Sequence, residues 1–175
     1  MFANIPDEMK EFRQWILWRY EDTTAKKPTK VPYSPKTGKR VSVQDRDNWA
    51  GFDECVQILN SSHCIYDGLG FVLTPADPYT FIDLDDASGD QTACDRQQMV
   101  YNEFNSYSEY SPSGIGCHII IRGSIPSGRR RSKIEIYSNE RFMTMTGNVI
   151  RNVPISDYNR MINALYQQMG EGSTN

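Results

Sequence analysis

Tyr79-Thr80-Phe81-Ile82-Asp83-Leu84-Asp85-Asp86-Ala87 is the stretch that decides the reading of this chain. Tyr79 to Ile82 are aromatic or β-branched, the composition of a buried strand, and the run ends in a carboxylate-x-carboxylate step. Side chains two apart on a strand share a face, so Asp83 and Asp85 project together while Ile82 and Leu84 turn the other way. Adjacent anions repel, and a divalent cation between them relieves the repulsion. Mg²⁺ and Mn²⁺ favour such oxygen ligands and serve phosphoryl transfer. The competing reading is a strand that runs out into a solvated acidic loop, Asp85-Asp86-Ala87-Ser88-Gly89-Asp90.

The sequence, 175 residues in all, is long enough to give one domain a proper core. Hydrophobic and charged shares of 38% and 23% are ordinary for a soluble globular protein. No apolar run approaches the roughly 20 residues that span a bilayer. The N-terminus lacks a basic start followed by an apolar core, so no signal peptide is visible and the cytoplasm is the expected compartment. Cys55, Cys64, Cys94 and Cys117 are widely spaced and never form a C-x-x-C pair. They read as small hydrophobes rather than ligands, and no structural zinc is expected. A net charge of −3 argues weakly against tight nucleic-acid binding. The distribution argues the other way. Basic residues cluster at Lys26, Lys27 and Lys30, at Lys36 to Arg40, and at Arg129, Arg130, Arg131 and Lys133. Such clusters are solvated loops or, flanking one acidic centre, the walls of a polyanion channel.

Periodicity gives the elements. A short helix is expected over 6–12 with Pro6 in its first turn, followed by a strand over Gln14 to Tyr20. Lys30 to Arg40 is turn-rich, broken by Pro32, Pro35 and Gly38. Phe52, Val56 and Leu59 follow a helical spacing that Asp47 or Asn48 could cap. Gly68 to Thr74 and Tyr79 to Leu84 read as a hairpin joined by Pro75-Ala76-Asp77-Pro78. Gln91 to Ser106 reads as a helix. Strands are expected at Cys117 to Arg122, Lys133 to Tyr137 and Arg141 to Thr146, then a helix from Ser156, its cap, to Met169. The class is α/β or α+β with a mostly antiparallel second half. Residues 1–169 are expected to form a single domain, with 170–175 a linker or tail at which a longer protein could have been cut.

Three further segments carry chemistry. Ser111-Pro112-Ser113-Gly114-Ile115-Gly116-Cys117-His118 sets a Ser-Gly-x-Gly turn before a strand with His118 near its start. Small residues there let backbone N–H groups and the Ser113 hydroxyl approach an anion; the plainer alternative is an ordinary hairpin with a structural histidine. Glu135 is a lone carboxylate inside the apolar strand Ile134-Glu135-Ile136-Tyr137, so it faces water or binds a cation. Arg141 to Gly147 alternates, with Arg141, Met143 and Met145 on one face and Phe142, Thr144 and Thr146 on the other.

The ordered set of D-x-D at a strand end, Ser and His at the next strand and Glu in a third resembles the three-motif signature of the archaeo-eukaryotic primase superfamily. The likeness extends to phage and mobile-element primase-polymerase domains through Trp15-Ile16-Leu17-Trp18, Lys30 to Gly38, Asp47-Asn48-Trp49, Gly68 to Thr74 and Glu135 to Gly147. It covers about residues 14–150. That resemblance implies two tightly joined modules, an N-terminal α/β module and an RRM-like antiparallel sheet, with the active site in the cleft between them. It implies a DNA primase-polymerase that joins dNTPs or NTPs to a primer 3′-hydroxyl on a DNA template. Asp83, Asp85 and Glu135 would be catalytic and would ligate two Mg²⁺ or Mn²⁺ ions. Ser113, Gly114 and a neutral His118 would bind nucleotide phosphates, with Tyr137, Arg141 and Thr146 as triphosphate or sugar contacts. Lys26, Lys27, Lys30, Arg129, Arg130, Arg131 and Lys133 would bind nucleic acid. A helical or helicase domain beyond Asn175 is a further implied partner; a membrane is not. A metal-dependent nuclease or replication initiator, and a silent RRM-like single-strand binding module, are the alternatives. An initiator needs paired histidines, however, and the chain has only His63 and His118.

Overall fold

A computed structural model describes residues 2–22, 24, 26 and 28–171; Lys27 and the tail from 172 onward lie outside the described residues. The elements run α1 (Asp7–Lys10), β1 (Trp15–Glu21), β2 (Thr29–Tyr33), α2 (Phe52–Leu59), β3 (Gly68–Leu73), β4 (Tyr79–Leu84), α3 (Gln91–Glu103), β5 (Ser108–Tyr110), β6 (Cys117–Arg122), β7 (Arg129–Arg131), β8 (Ile134–Tyr137), β9 (Arg141–Met145), β10 (Val149–Arg151) and α4 (Asn159–Gly170). The strands form two antiparallel sheets, one of four in the order β2-β1-β3-β9 and one of six in the order β10-β5-β6-β4-β8-β7. The fold is α+β.

Alternation along each strand sorts the residues into layers. In the six-stranded sheet Tyr79, Phe81, Ile120 and Tyr137 turn toward the four-stranded sheet and meet Trp15, Leu17, Leu69, Phe71, Met143 and Met145 in one buried cluster. Ile82, Ile119, Ile121, Ile134 and Ile136 turn the other way, against Val100 of α3 and Ile162, Leu165 and Tyr166 of α4. A fully buried aromatic such as Phe81 is worth about 2–3 kcal/mol in surface removed from water. The apolar layer between the sheets stops short of one end of β4, and the site lies there.

Some sequence expectations give way. β3 and β4 are not a hairpin: β3 pairs with β1 and β9, whereas β4 pairs with β6 and β8. The segment between them is a corner that carries the chain from one sheet to the other. Buried Asp77 holds it, accepting the Thr74 N–H at 2.7 Å, the Tyr79 N–H at 3.0 Å and the Gln14 side-chain amide at 2.9 Å. The cap of α2 is Gly51, while Asp45 caps a 3₁₀ turn over Arg46–Asn48. α4 starts after Tyr158 rather than Ser156, because Ser156 and Tyr158 hydrogen-bond the backbone of Arg122 and so extend the sheet edge. At its other end α4 runs through Gly170, into the expected linker. The basic run Arg129–Arg131 is a strand. It joins β8 through a two-residue turn in which Ser132 and Lys133 both have positive φ, the geometry a tight hairpin requires.

Candidate active site

Strand register, rather than any loop, assembles the site. Asp83 on β4 lies directly opposite His118 on β6 and Glu135 on β8. One strand further out on each side, His118 faces Glu109 on β5 and Glu135 faces Arg130 on β7. Residues paired in this way share a face, with Cβ atoms about 5 Å apart. Glu109, His118, Asp83, Glu135 and Arg130 therefore form one polar row across five strands, on the face that bears Phe81 and Tyr137. The sequence puts Asp83, His118 and Glu135 in three separate motifs, and the structure brings all three together.

The row borders a cleft of about 530 Å³ lined by Asp83, Asp85, Glu135 and His118 from the large sheet, by Ser111 and Ser113 from the loop, and by Tyr20, Lys26, Pro28 and Lys30 from the other sheet and its connection. A smaller adjoining recess adds Tyr137, Arg141 and Thr144. Glu135 is held from two sides: the Arg130 guanidinium forms an ion pair with it, Nε lying 3.0 Å from Oε1, and the Tyr137 hydroxyl donates to Oε2 at 2.7 Å. Burial and that hydrogen bond push the Tyr137 phenol up to about 12, so it remains a donor. The Arg141 guanidinium stacks 4.5 Å from the centre of the Tyr137 ring.

His118 is 2% exposed, with Nε2 3.6 Å from Asp83 Oδ1 and Nδ1 3.6 Å from Glu109 Oε1. Its burial works against the charged imidazole, but the Glu109 and Asp83 carboxylates outweigh that effect and its pKa is raised. A ring between two carboxylates favours the charged form more than a free imidazole does. Burial pushes the Asp83 carboxyl up, His118 opposes this, and the neighbouring Glu135 and Asp85 charges add to it.

Ser111-Pro112-Ser113-Gly114-Ile115-Gly116 is a pinned loop. Ser111 Oγ accepts the Gly116 N–H at 3.1 Å and lies 3.0 Å from Ser113 Oγ, while the Ser111 N–H donates to the Gly116 carbonyl at 2.9 Å. A Cβ on Gly116 would sit 2.9 Å from both the Leu84 carbonyl and Ser111 Oγ, whereas Gly114, at φ +77°, faces open space. Ser113 and Gly114 therefore stand at the rim with Ser111 as their anchor. Thr146 lines a recess together with Ser113 and Gly114. Its N–H donates to Glu109 and its hydroxyl to the Tyr110 carbonyl.

The basic residues divide by strand alternation. Lys26 and Lys30 line the cleft, and Arg130 reaches Glu135. Arg129 and Arg131 lie opposite Ile136 and Ile134 and turn to the helix side. Arg129 hydrogen-bonds the Tyr166 carbonyl and stacks 3.5 Å from that ring's centre, and Arg131 donates to the Gln168 carbonyl at 3.0 Å. These two arginines close the C-terminal end of α4. Lys133 is exposed at the β7–β8 turn, and its carbonyl accepts the Asp85 N–H at 2.9 Å.

Sequence reasoning missed Glu109 and Ser111. Glu109 sits on a three-residue strand, and the only signal for it was a charged residue between two tyrosines, Tyr107 and Tyr110.

No family model matches the chain. A DNA primase-polymerase of Nitratiruptor phage NrS-1 is 35% identical over an alignment of 160 positions, which covers 85% of this chain and 21% of that protein. The chain thus spans about one fifth of that relative's length. The chain belongs to the phage primase-polymerase type of domain.

Proposed function

We propose that this domain is a template-dependent nucleotidyltransferase, the DNA primase-polymerase core that joins nucleotides to a primer 3′-hydroxyl in phage or mobile-element replication. The registered row Asp83–His118–Glu135, facing a cleft whose opposite wall carries Lys26 and Lys30, is the observation that carries the proposal.

The donor set suits hard divalent cations. Asp83, Asp85 and Glu135 offer only oxygen, and the carboxyl of Asp83 is raised by burial beside two other carboxylates, the electrostatic condition that a cation relieves. Among the described residues no three such side chains converge on a single point as they stand, and Glu135 is engaged by Arg130 and Tyr137. When bound there, two Mg²⁺ or Mn²⁺ ions would lower the pKa of the attacking hydroxyl and offset charge on the pyrophosphate.

The chain's own residues bind and orient. His118 Nε2 offers a donor beside Asp83 where phosphate oxygens would lie. The hydroxyls of Ser111 and Ser113 and the N–H groups of their loop offer donors at the rim. Lys30, Lys26 and Arg141 supply positive charge for triphosphate and primer phosphates. The substrates are a DNA template and primer with dNTPs or NTPs, in the host cytoplasm, and a helical or helicase domain elsewhere in a longer protein would be a partner. No described helix is long and apolar enough to cross a membrane.

Primer extension on a labelled template–primer, with Mg²⁺, Mn²⁺ or EDTA, tests this directly. Elongation that needs the metal and disappears in Asp83→Ala and Asp85→Ala chains of unchanged melting temperature is the expected result. Full extension by either variant would refute the assignment, and shortening of the labelled strand would favour a nuclease.

A further inference from the structure

Glu109 is the most completely enclosed carboxylate of the polar row, at 0% exposure. Its two oxygens are fully committed. Oε1 accepts the Thr146 N–H at 2.8 Å and lies 3.6 Å from His118 Nδ1; Oε2 accepts the Gly147 N–H at 2.9 Å and the Tyr107 hydroxyl at 3.0 Å. His118 Nδ1 is itself buried and has no partner at hydrogen-bond distance, which leaves Glu109 Oε1 as the group facing it. A buried carboxylate costs several kcal/mol unless paired, so this one is held in place for what it faces. Thr146 and Gly147 directly follow β9, a strand of the four-stranded sheet, whereas Glu109 and His118 belong to the six-stranded sheet. One carboxylate thus ties the end of the small sheet to the imidazole that looks into the cleft.

We propose that Glu109 is a positioning residue for His118: it fixes the ring with Nδ1 turned inward, so that Nε2 points at Asp83 and the cleft, and it sets that orientation relative to the opposing sheet. The role rests on the nucleotidyltransferase reading for its consequence but not for its geometry. A carboxylate behind a histidine selects the tautomer and the ring orientation. Tyr107, Thr146 and Gly147 fix Glu109 independently of His118, so the carboxylate presents a fixed negative charge 3.6 Å from Nδ1, toward which that edge of the ring is drawn.

The test is a double-mutant cycle read in two ways. Steady-state nucleotide incorporation is measured for Glu109→Gln, His118→Asn and the double variant. In metal-free protein, the imidazole ¹⁵N resonances are recorded by long-range ¹H–¹⁵N NMR, with the His63→Asn chain assigning the second ring. Glu109→Gln is expected to raise the KM for nucleotide about 10- to 100-fold with a smaller change in kcat, the range for groups that orient a functional side chain. It should cost less than about threefold in the His118→Asn background, because coupled residues are non-additive. The His118 Nδ1 and Nε2 shifts should move while those of His63 stay. An equal loss in both backgrounds, or unmoved His118 shifts, would overturn the proposal. If Glu109→Gln does not fold, Glu109→Asp takes its place; it keeps the charge but draws it back by one methylene, and the same two results decide. If the wild-type chain incorporates no nucleotide, the polymerase reading fails and the nitrogen shifts alone decide the role of Glu109.

Discussion

Gly114 and Gly116 stand two residues apart in the same loop and answer to different physics. At Gly116 the space is closed by the Leu84 carbonyl, which cannot move without disturbing β4 beside Asp83. Gly116→Ala should therefore cost about 1–3 kcal/mol by overpacking and weaken nucleotide binding by displacing the loop. At Gly114 space is open but φ is +77°, so Gly114→Ala should cost only the left-handed penalty, roughly 1–2 kcal/mol. Thermal melts together with nucleotide KM values for the two variants check this. A Gly114 variant that hurts binding more than the Gly116 variant would contradict the account. The individual residues of the site were largely legible in the sequence, since Asp83, Asp85, His118 and Glu135 are polar groups set into or against apolar strands. Glu109 was not, because its partners Thr146, Gly147 and His118 come from distant segments and no local pattern encodes them. The electrostatic surroundings of His118 were hidden for the same reason: Asp83 and Glu109 meet it only through strand pairing.

At the scale of elements, β7 divides a run of three arginines into two jobs. Arg129 and Arg131 cap α4, an arrangement favoured by the partial negative charge at a helix C-terminus and, at Arg129, by stacking on Tyr166. Arg129→Ala should cost about 1–2 kcal/mol of stability by loss of that cap and stacking, and leave template–primer affinity within about twofold, the scale of a residue remote from the phosphates. Arg130→Ala should leave the melting temperature nearly unchanged, since an exposed ion pair is worth about 0–1 kcal/mol, yet alter incorporation through Glu135. Denaturation curves and gel shifts on the same proteins separate the two. Composition alone read the run as one basic cluster; only the register against Ile134, Glu135 and Ile136 sorts it. The strands rich in β-branched residues, β4, β6 and β8, were readable nearly to the residue. The β3–β4 connection was not, because Pro75 and Pro78 mark a turn without saying that Asp77 makes it a corner between sheets.

For the molecule as a whole, two thiols withdrawn from water, buried Cys55 and half-buried Cys117, report the integrity of both layers. Cys55 lies in the core between the sheets, and Cys117 lies at the start of β6. Burial pushes each thiol up to about 12, so at pH 8 only about one in 10⁴ is thiolate and reactive. Exposed Cys94 should be alkylated by iodoacetamide at pH 8 while Cys55 and Cys117 are protected until denaturant is added, as mass spectrometry of the labelled peptides would show. Equal labelling in the native protein would mean that the layers open. The sign of the linkage follows. Unfolded thiols lose their protons near 9, before folded ones, so these groups contribute stability that is lost as pH climbs from about 9 to about 12. The melting temperature should fall across that window, and less steeply in Cys55→Ala.

The polar row has a bearing on how such a domain tolerates change over evolutionary time. Its alignment is inherited from backbone pairing across five strands, and no loop of particular length is needed to bring Asp83, His118 and Glu135 abreast. Apolar neighbours of similar volume can be exchanged while the pairing survives, and connections other than the β1–β2 and β5–β6 segments that line the cleft can lengthen or shorten without moving the row. A single-residue insertion or deletion within β4, β6 or β8 is another matter, because it turns every later side chain to the opposite face. Beyond such an insertion, the carboxylates would be delivered into the isoleucine layer beneath α3 and α4, and the isoleucines into the cleft. Lineages of this domain are therefore free to drift in composition and in loop length, but frame-preserving within three short strands.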